Sequence, residues 1–519
     1  MRVAILILGL TAVCLAQSPG EVVGMTYFDM QEMGSGTNRI VVASDGGSSV
    51  CWTKATTDNY YPRFVYYNHR FPEGNWMGES QLSPEYGAGY GVIDTGPDDC
   101  VAIFYHTSSD GQIHLATTCH PIDFHVLPDT NLFWPKAAIA GDGRFHVISA
   151  RYNNNNETTI MYNRSDDFGG TWPPWVRMDH LETSLWSLNS SNISERTAIV
   201  EGVPVPGELG WFDIGYIVSD DGENWDISDW RMITDYGGSS TRAFADIDLI
   251  FDDDDYLHVV WNTLDTAEED NSSTLWHWSE ETDEISEIAS FGHVECEPGT
   301  WNLALCKMSL GVDQENNLFC VWTGFSSDDA SAGGYCNGDL YMSYSMDGGV
   351  SWAEPENITN SPTPGCPPGD CDSDNWATLA ENVGDYLRVF YVNDKDAGAG
   401  VYFEGTATNS PMLYQEIPNP TTTEIVESIS PPDNFAVLSA YPNPFNAQTT
   451  IKFSLTEQSH IKLEIFDIVG RLVDMVADAE FLAGENSIVW NAEDHPSGVY
   501  FAKLSSSSGN TAKKLVLLK

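Results

Sequence analysis

The sequence predicts an all-β protein with a large repetitive region followed by a small β-sandwich, and three observations carry this. Short apolar strands paired across Asp- or Gly-bearing turns recur through the middle of the chain, and apolar residues alternate with polar ones near the C-terminus. The composition is rich in aromatics, Gly and Asp, with no long helical patterning. Of 519 residues 42% are hydrophobic, including 17 Trp and 22 Tyr, which argues against disorder. Lys and Arg number 23 against 76 Asp and Glu, a formal charge of −53. Clustered cations are what phosphate neutralisation requires, so nucleic acid is not an expected partner.

The chain opens with Met1-Arg2 and an apolar run from Val3 to Leu15, with small residues leading to a cut after Ala16. Residues 1–16 therefore read as a secretory signal. No other stretch reaches the length of a spanning helix, so the mature chain is expected to be exported without a membrane anchor.

Residues 17–412 carry the repeats. Trp134 to Tyr152, Phe244 to Asn262, Trp301 to Trp322 and Trp376 to Val392 each hold an aromatic, a short strand, a turn and a second strand. Further copies lie around Tyr90 to Phe104, around Trp186 to Val203 and from Val22 to Val42. A spacing of about 45 to 70 residues is that of a four-stranded propeller blade. Seven blades are counted, or six if Val22 to Trp52 only completes the last one. Residues 413–439, rich in Pro and Thr, read as an extended linker.

Two octapeptides, SDDFGGTW (Ser165 to Trp172) and SMDGGVSW (Ser345 to Trp352), and a variant at Asp220 to Trp225 fall in register with the blades. In such a turn the Asp carboxylate accepts backbone N–H groups, Gly supplies the left-handed conformation and Trp covers the blade edge. They resemble the Asp-box (BNR repeat) of sialidase-superfamily propellers, where the box is structural and carries no catalysis.

Residues 440–519 form the last domain. Ile451, Phe453 and Leu455, then Ile461, Leu463 and Ile465, alternate as in half-buried strands, and Gly470, Gly484 and Ser508-Gly509-Asn510 supply turns. The order YPNPFN, FDIVGR, SGVYF and KKLVLLK resembles the C-terminal sorting domain of type IX secretion cargo. That resemblance implies an Ig-like sandwich, handling by the type IX machinery, and a destination at the outer cell surface or in the medium.

Nine cysteines remain after the signal, as expected of an exported protein, and at least one must stay unpaired. Placement about hairpin turns predicts Cys100–Cys119 and Cys306–Cys320, and Cys366 and Cys371 can close a small loop. The partners of Cys51, Cys296 and Cys336 are left open.

Candidate ligand groups are the aromatics at the starts of innermost strands, Trp134, Trp186, Phe244, Trp301 and Trp376, together with Arg242. They form either a sugar-stacking ring at one mouth or packing between blades. Asp370, Asp372, Asp374 and Glu381 have the spacing of a calcium loop without its Gly, so calcium is the one candidate cofactor; the other reading is a solvated acidic turn. The sialidase resemblance would require three convergent Arg, a Tyr/Glu pair and an Asp acid/base. Arg39-Ile40-Val41 echoes the family's R-I-P only in part, Arg196 reads as an ion-pair residue, and no Tyr/Glu pair is assignable. The expectation is therefore a non-catalytic binder of glycans or other extracellular ligands, the alternative being a glycoside hydrolase of the exo-sialidase type.

Deleting residues 440–519 should leave the propeller folded but retained in the periplasm. Immunoblotting of medium, surface and periplasmic fractions checks this, and undiminished surface display would refute it.

Overall fold

A computed structural model describes residues 18–519 except 33–35, 85, 97–98, 119–122, 153–157, 182–184, 205–211, 238, 268–270, 423–434, 442, 444, 456–457, 468–470, 483, 493–494 and 507–508. The predicted signal lies outside these residues. The chain divides into two compact units, residues 1–421 and 422–519.

The first unit is built of antiparallel four-stranded groups that follow one another in sequence. They comprise Ile40–Val42, Ser48–Ala55, Arg63–Arg70 and Ser80–Gln81 (first sheet), then Ala88–Thr95, Val101–Thr107, Ile113–Thr117 and Asp123–Val126 (second). Leu132–Ile139, Phe145–Tyr152, Thr158–Ser165 and Val176–Leu181 make the third, and Trp186–Ser190, Thr197–Pro204, Phe212–Ser219 and Arg231–Met232 the fourth. Thr241–Phe251, Leu257–Asp265, Ser273–Ser279 and Glu284–Phe291 form the fifth, joined to the fourth through the pair Phe212 and Ala243. Leu305–Asp313, Leu318–Ala330, Cys336–Ser345 and Glu356–Asn357 form the sixth. In the last sheet Ser373–Leu379, Tyr386–Asp394 and Ser410–Pro418 are completed by Glu21–Thr26 from the other end of the unit. Val22 thus completes the last sheet, while Ile40 begins a separate one.

The other edge of each innermost strand also carries N–H groups that need acceptors; that of Leu305–Asp313 pairs in parallel with Asn382–Val383 over its last two residues. The neighbouring sheet supplies acceptors, from its innermost strand or from a residue just beyond the strand's end. Ile93 N–H donates to the Asn38 carbonyl (2.8 Å), Ile139 to Asp94 Oδ2 (2.6 Å), Gly141 to the Ser191 carbonyl (3.0 Å) and Phe251 to Asn189 Oδ1 (3.4 Å). Leu310 donates to Asp248 Oδ2 (2.8 Å), Leu379 to Ser309 Oγ (3.0 Å) and Arg39 to Thr378 Oγ1 (3.4 Å), which closes the ring of a β-propeller.

Between Glu21–Thr26 and Ile40–Val42 the described residues, 27–32 and 36–39, run into the axial channel. Gln31 exchanges hydrogen bonds with the Thr53 backbone, Ser187 Oγ donates to the Gly36 carbonyl (2.9 Å), and Thr37 meets Lys136 and Thr378. These residues fill the channel where the innermost strands begin.

The two octapeptides form the same turn between third and fourth strands. Ser165 Oγ donates to Asp167 Oδ1 (2.8 Å), Thr171 N–H to Asp167 Oδ1 (2.7 Å), and Trp172 Nε1 to the Gly169 carbonyl (3.0 Å). Ser345, Asp347, Ser351, Trp352 and Gly349 repeat this pattern. In the variant turn Ser219 and Asn224 hold Asp221, and the Asn224 bonds depress its carboxyl far below the usual range. Each turn also seals an interface with the preceding sheet: Trp172 packs on Phe104, Trp225 on Tyr162 and Trp352 on His277.

Sequence reasoning erred on several connections. Cys306 and Cys320 are unpaired buried thiols, because the hairpin pairs Val312 with Leu318 and so centres on Glu315 and not on Asp313, which sets Cys320 opposite Leu310 and Cys306 opposite Thr323. Cys296 bridges Cys336, with Cα atoms 5.2 Å apart, Cys366 bridges Cys371, and Cys51 is a buried thiol. Cys100 is disulfide-bonded, but Cys119, its predicted partner, lies outside the described residues. The predicted linker begins too early. Ser410–Pro418 is a full strand, and Thr421 Oγ1 donates to Asp313 Oδ2 (2.9 Å), so the first unit runs to 421.

The second unit packs Phe435–Tyr441, Gln448–Leu455 and Gly484–Asn491 against Leu472–Phe481, Ser459–Asp467, Gly498–Ser506 and Gly509–Leu517. Ile451, Phe453, Leu455, Ile461, Leu463 and Ile465 all enter a core around Trp490.

Gly349 and Gly46 both have positive φ, 85° and 88°. A Cβ on Gly349 would collide with the His277 ring, whereas one on Gly46 would meet nothing within 4 Å. Alanine should cost about 1–2 kcal/mol of backbone strain at either position and about 1–3 kcal/mol more at Gly349. Thermal melting of Gly349→Ala beside Gly46→Ala checks this; equal losses would refute the packing role.

Candidate ligand-binding site

The propeller offers two ends: an opening face, where innermost strands begin, and a turn face, where they pass into the second strands. The predicted aromatics belong to the opening face, but they do not form an exposed ring there. Trp186 and Trp376 are buried, and Phe244 is half-buried. Trp134 is half-buried and tilted against Trp186 at 6.4 Å, its backbone N–H donating to His106 Nδ1 (3.1 Å). Trp134 and Trp376 sit in strand bulges with φ near 55°, and the matching bulge of the sixth sheet holds Lys307, not Trp301. Lys307 Nζ lies 4.7 Å above the Trp376 ring and pairs with Asp246 (2.8 Å). Arg242 is also buried, its guanidinium donating to the carbonyls of Tyr236 (2.9 Å) and Thr241 (2.7 Å). The channel core and its plug occupy the space assigned to a sugar ring.

The calcium candidates do not converge either. Asp372 pairs with Lys395 (2.5 Å), Asp374 accepts from Asn393 (2.7 Å) and Ser361 (2.8 Å), and Asp370 is exposed. Glu381 turns into the channel to Asn38 and Asn189. Among the described residues no group of three His, Cys, Asp or Glu is placed to hold a metal ion. Ser373–Leu379 is a strand, and its extension carries Glu381 away from the other carboxylates.

Exposed rings on the opening face belong instead to loops that the repeat pattern did not mark. Tyr61 lies between the second and third strands of the first sheet, and Tyr86 in the connection to the second sheet, their rings 6.5 Å apart. Tyr402 and Phe403 lie between Tyr386–Asp394 and Ser410–Pro418, and Trp301 precedes Leu305–Asp313. Phe403 is 96% exposed and Trp301 43%. Both have left-handed backbone, φ 68° and 66°, which is costly for bulky side chains. Glu404 ties their loops together, accepting from the backbone N–H groups of Thr300 (2.8 Å) and Ala399 (3.1 Å) and from the Thr300 hydroxyl. Tyr60 packs beside Gly400, which links this pair of loops to the Tyr61 turn. The Gly-rich DAGAGVYFEG run was the available sequence signal.

At the turn face lies an axial cavity of about 590 Å³. Its wall is largely polar, with Ser44, Asp99, Asn192, Asp253, Asp313 and Asn382 among its residues, and none of its described lining residues is aromatic. Arg388 at its edge is held by Glu416 (3.2 Å). Deeper in the channel Asp94, Asp248 and Glu381 are half-buried, and desolvation raises the pKa of all three; their mutual repulsion adds to it at Glu381. The arginines a sialidase would bring together are dispersed. Arg39 pairs with Glu32 (3.7 Å), Arg196 with Glu280 (2.7 Å) and Arg242 with carbonyls.

Residues 439–518 match the family described as the secretion system C-terminal sorting domain. The tail is a sorting domain. Handling by the type IX machinery and export to the surface or medium follow, and among the described residues no helix is long and apolar enough to cross a membrane. No curated protein matches the chain. Solved structures that resemble it include an ulvan lyase bound to a GlcA–Rha3S saccharide (12% identity, 77% of this chain and 96% of that one, TM-score 0.48). Others are the Penicillium chrysogenum α-L-arabinanase with arabinobiose (11%, 62% and 92%, 0.42) and a Hadza microbial sialidase (13%, 69% and 72%, 0.37). At these identities and scores the likenesses say nothing of chemistry.

Glu201 is buried opposite Trp186, neither of its oxygens has a hydrogen-bond partner among the described residues, and burial pushes its pKa up to about 8. A folded-state pKa above the unfolded value means stability that is full in acid and is lost as pH rises toward 8. Glu201→Gln should therefore stabilise the propeller by about 2–3 kcal/mol at pH 8 and by little at pH 4. Denaturant titrations at both pH values check this; a pH-independent difference would refute it.

Proposed function

We propose that this chain is a type IX secretion cargo whose first unit is a seven-bladed, Asp-box-bearing propeller. It binds extracellular glycan, without catalysis, through the aromatic loops of its opening face. The observation that carries the reading is the pair Trp301 and Phe403, exposed rings on left-handed backbone in loops tied together by Glu404. Backbone strain held by surrounding structure at exposed aromatics is a mark of ligand contact, and sugar C–H faces stack on such rings. Tyr61, Tyr86 and Tyr402 extend the surface. The sorting domain delivers it outside the cell.

A hydrolase is the second reading, and the channel favours it in one respect. Asp94, Asp248 and Glu381 are carboxyls with raised pKa behind an open cavity, as a general acid requires.

Purified mature protein on a glycan array, with fluorogenic glycosides alongside, separates the two. Binding without turnover is expected. Trp301→Ala and Phe403→Ala should each weaken binding about three- to tenfold, since stacking is worth about 0.5–1.5 kcal/mol, with melting unchanged. Turnover abolished by Asp248→Asn would favour the hydrolase, and binding indifferent to both ring deletions would refute the proposed site.

A further inference from the structure

The sorting domain carries a surface feature that its core does not explain. In Ser459–Asp467 the residues Ile461, Leu463 and Ile465 point inward, so Lys462, Glu464 and Phe466 face out. Phe466 is directly opposite Leu472 on one neighbouring strand and Phe501 on the other, and Met475 lies one row away, opposite Glu464. Leu472, Met475 and Phe501 are 49%, 47% and 38% exposed, and Phe466 is half-buried. Three apolar side chains in register across three adjacent strands make one contiguous stripe, whereas isolated exposed apolar residues are ordinary.

Beyond Glu464 along the strand the same face turns polar and carries ion pairs. Lys462 binds Glu464 (2.7 Å), and His460 binds Asp478 (2.7 Å). The apolar end is the part left for a partner.

Charge narrows what that partner reads. Residues 440–519 carry seven Lys and Arg against nine Asp and Glu, so almost all of the chain's −53 lies upstream. A receptor that selects this domain from so acidic a cargo gains little from attraction to the tail's net charge. An apolar row at fixed strand spacing gives it a shape to hold.

We infer that the stripe Leu472–Phe466–Phe501, with Met475 beside it, is the surface by which a protein of the secretion machinery holds this domain during export. The inference rests on the sorting reading of the tail and assigns it a contact face. The occupant is a protein with an apolar acceptor surface.

The test uses the full chain produced in a bacterium with a type IX system. Leu472→Asp and Phe501→Asp are compared with Val489→Asp, which places the same charge on an exposed position of the three-stranded sheet, and with deletion of 440–519. The exported fraction is measured by immunoblot, and purified chains are melted. The stripe variants should lose export at least tenfold with unchanged melting, while Val489→Asp exports like the parent. If Phe501→Asp lowers the melting point, Leu472→Ser and Phe501→Ser are read in its place. Parental export of the stripe variants, or an equal loss in Val489→Asp, overturns the inference. Should the deletion itself be exported, the sorting reading fails and this inference with it; a retained deletion beside exported stripe variants removes the stripe alone.

Discussion

The propeller depends on how it satisfies the free edges of its innermost strands. A sheet edge facing a narrow channel has no bulk water to bind its N–H groups. Here adjoining sheets supply acceptors to one another: Asn38, Asp94, Asn189, Asp248, Ser309 and Thr378 give an oxygen, and the Ser191 carbonyl completes the circuit. This requirement explains why polar residues occupy strands in the middle of the molecule. It also explains the carboxyls of raised pKa in the channel, which accept N–H bonds in a confined space.

The upper channel follows the same logic with full charges. Arg39, Lys136 and Lys307 are buried there; Arg39 pairs with Glu32, Lys307 with Asp246, and Lys136 donates to Thr37 of the plugging segment. A buried ion pair adds little stability over an apolar substitute, but losing one member is costly. The arrangement fixes which sheets meet which, and it removes from the surface three of the few basic residues the chain has.

Sequence reasoning found what periodicity and turn chemistry encode. The repeat spacing located second strands such as Leu257–Asp265, the two octapeptides fold as hairpin turns, and Ile451 to Ile465 bury the residues that alternate. Bulges were invisible, because one extra residue changes facing without changing composition. For that reason Trp301 aligns with Trp134 in the sequence although Lys307 holds the matching place, whereas Cys306 and Cys320 fail to meet because their hairpin turns two residues later than Asp313. The exposed rings lie in loops of unequal length, where no repeat exists to align them. The capping of strand edges could not be read either, since it joins residues such as Thr378 and Arg39 at opposite ends of the unit.

The completion of the last sheet by Glu21–Thr26 sets an order of events for the newborn chain. The partner strand Ser410–Pro418 emerges nearly four hundred residues later, and at about 5–20 residues per second that interval is on the order of twenty seconds to over a minute. Throughout it the intervening sheets can form only an open arc, with one edge strand unpaired and the axial plug without part of its wall. The fold is a clasp whose two halves are among the first and last segments made. A cell that exports this protein must therefore shelter an unfinished circle until its end arrives.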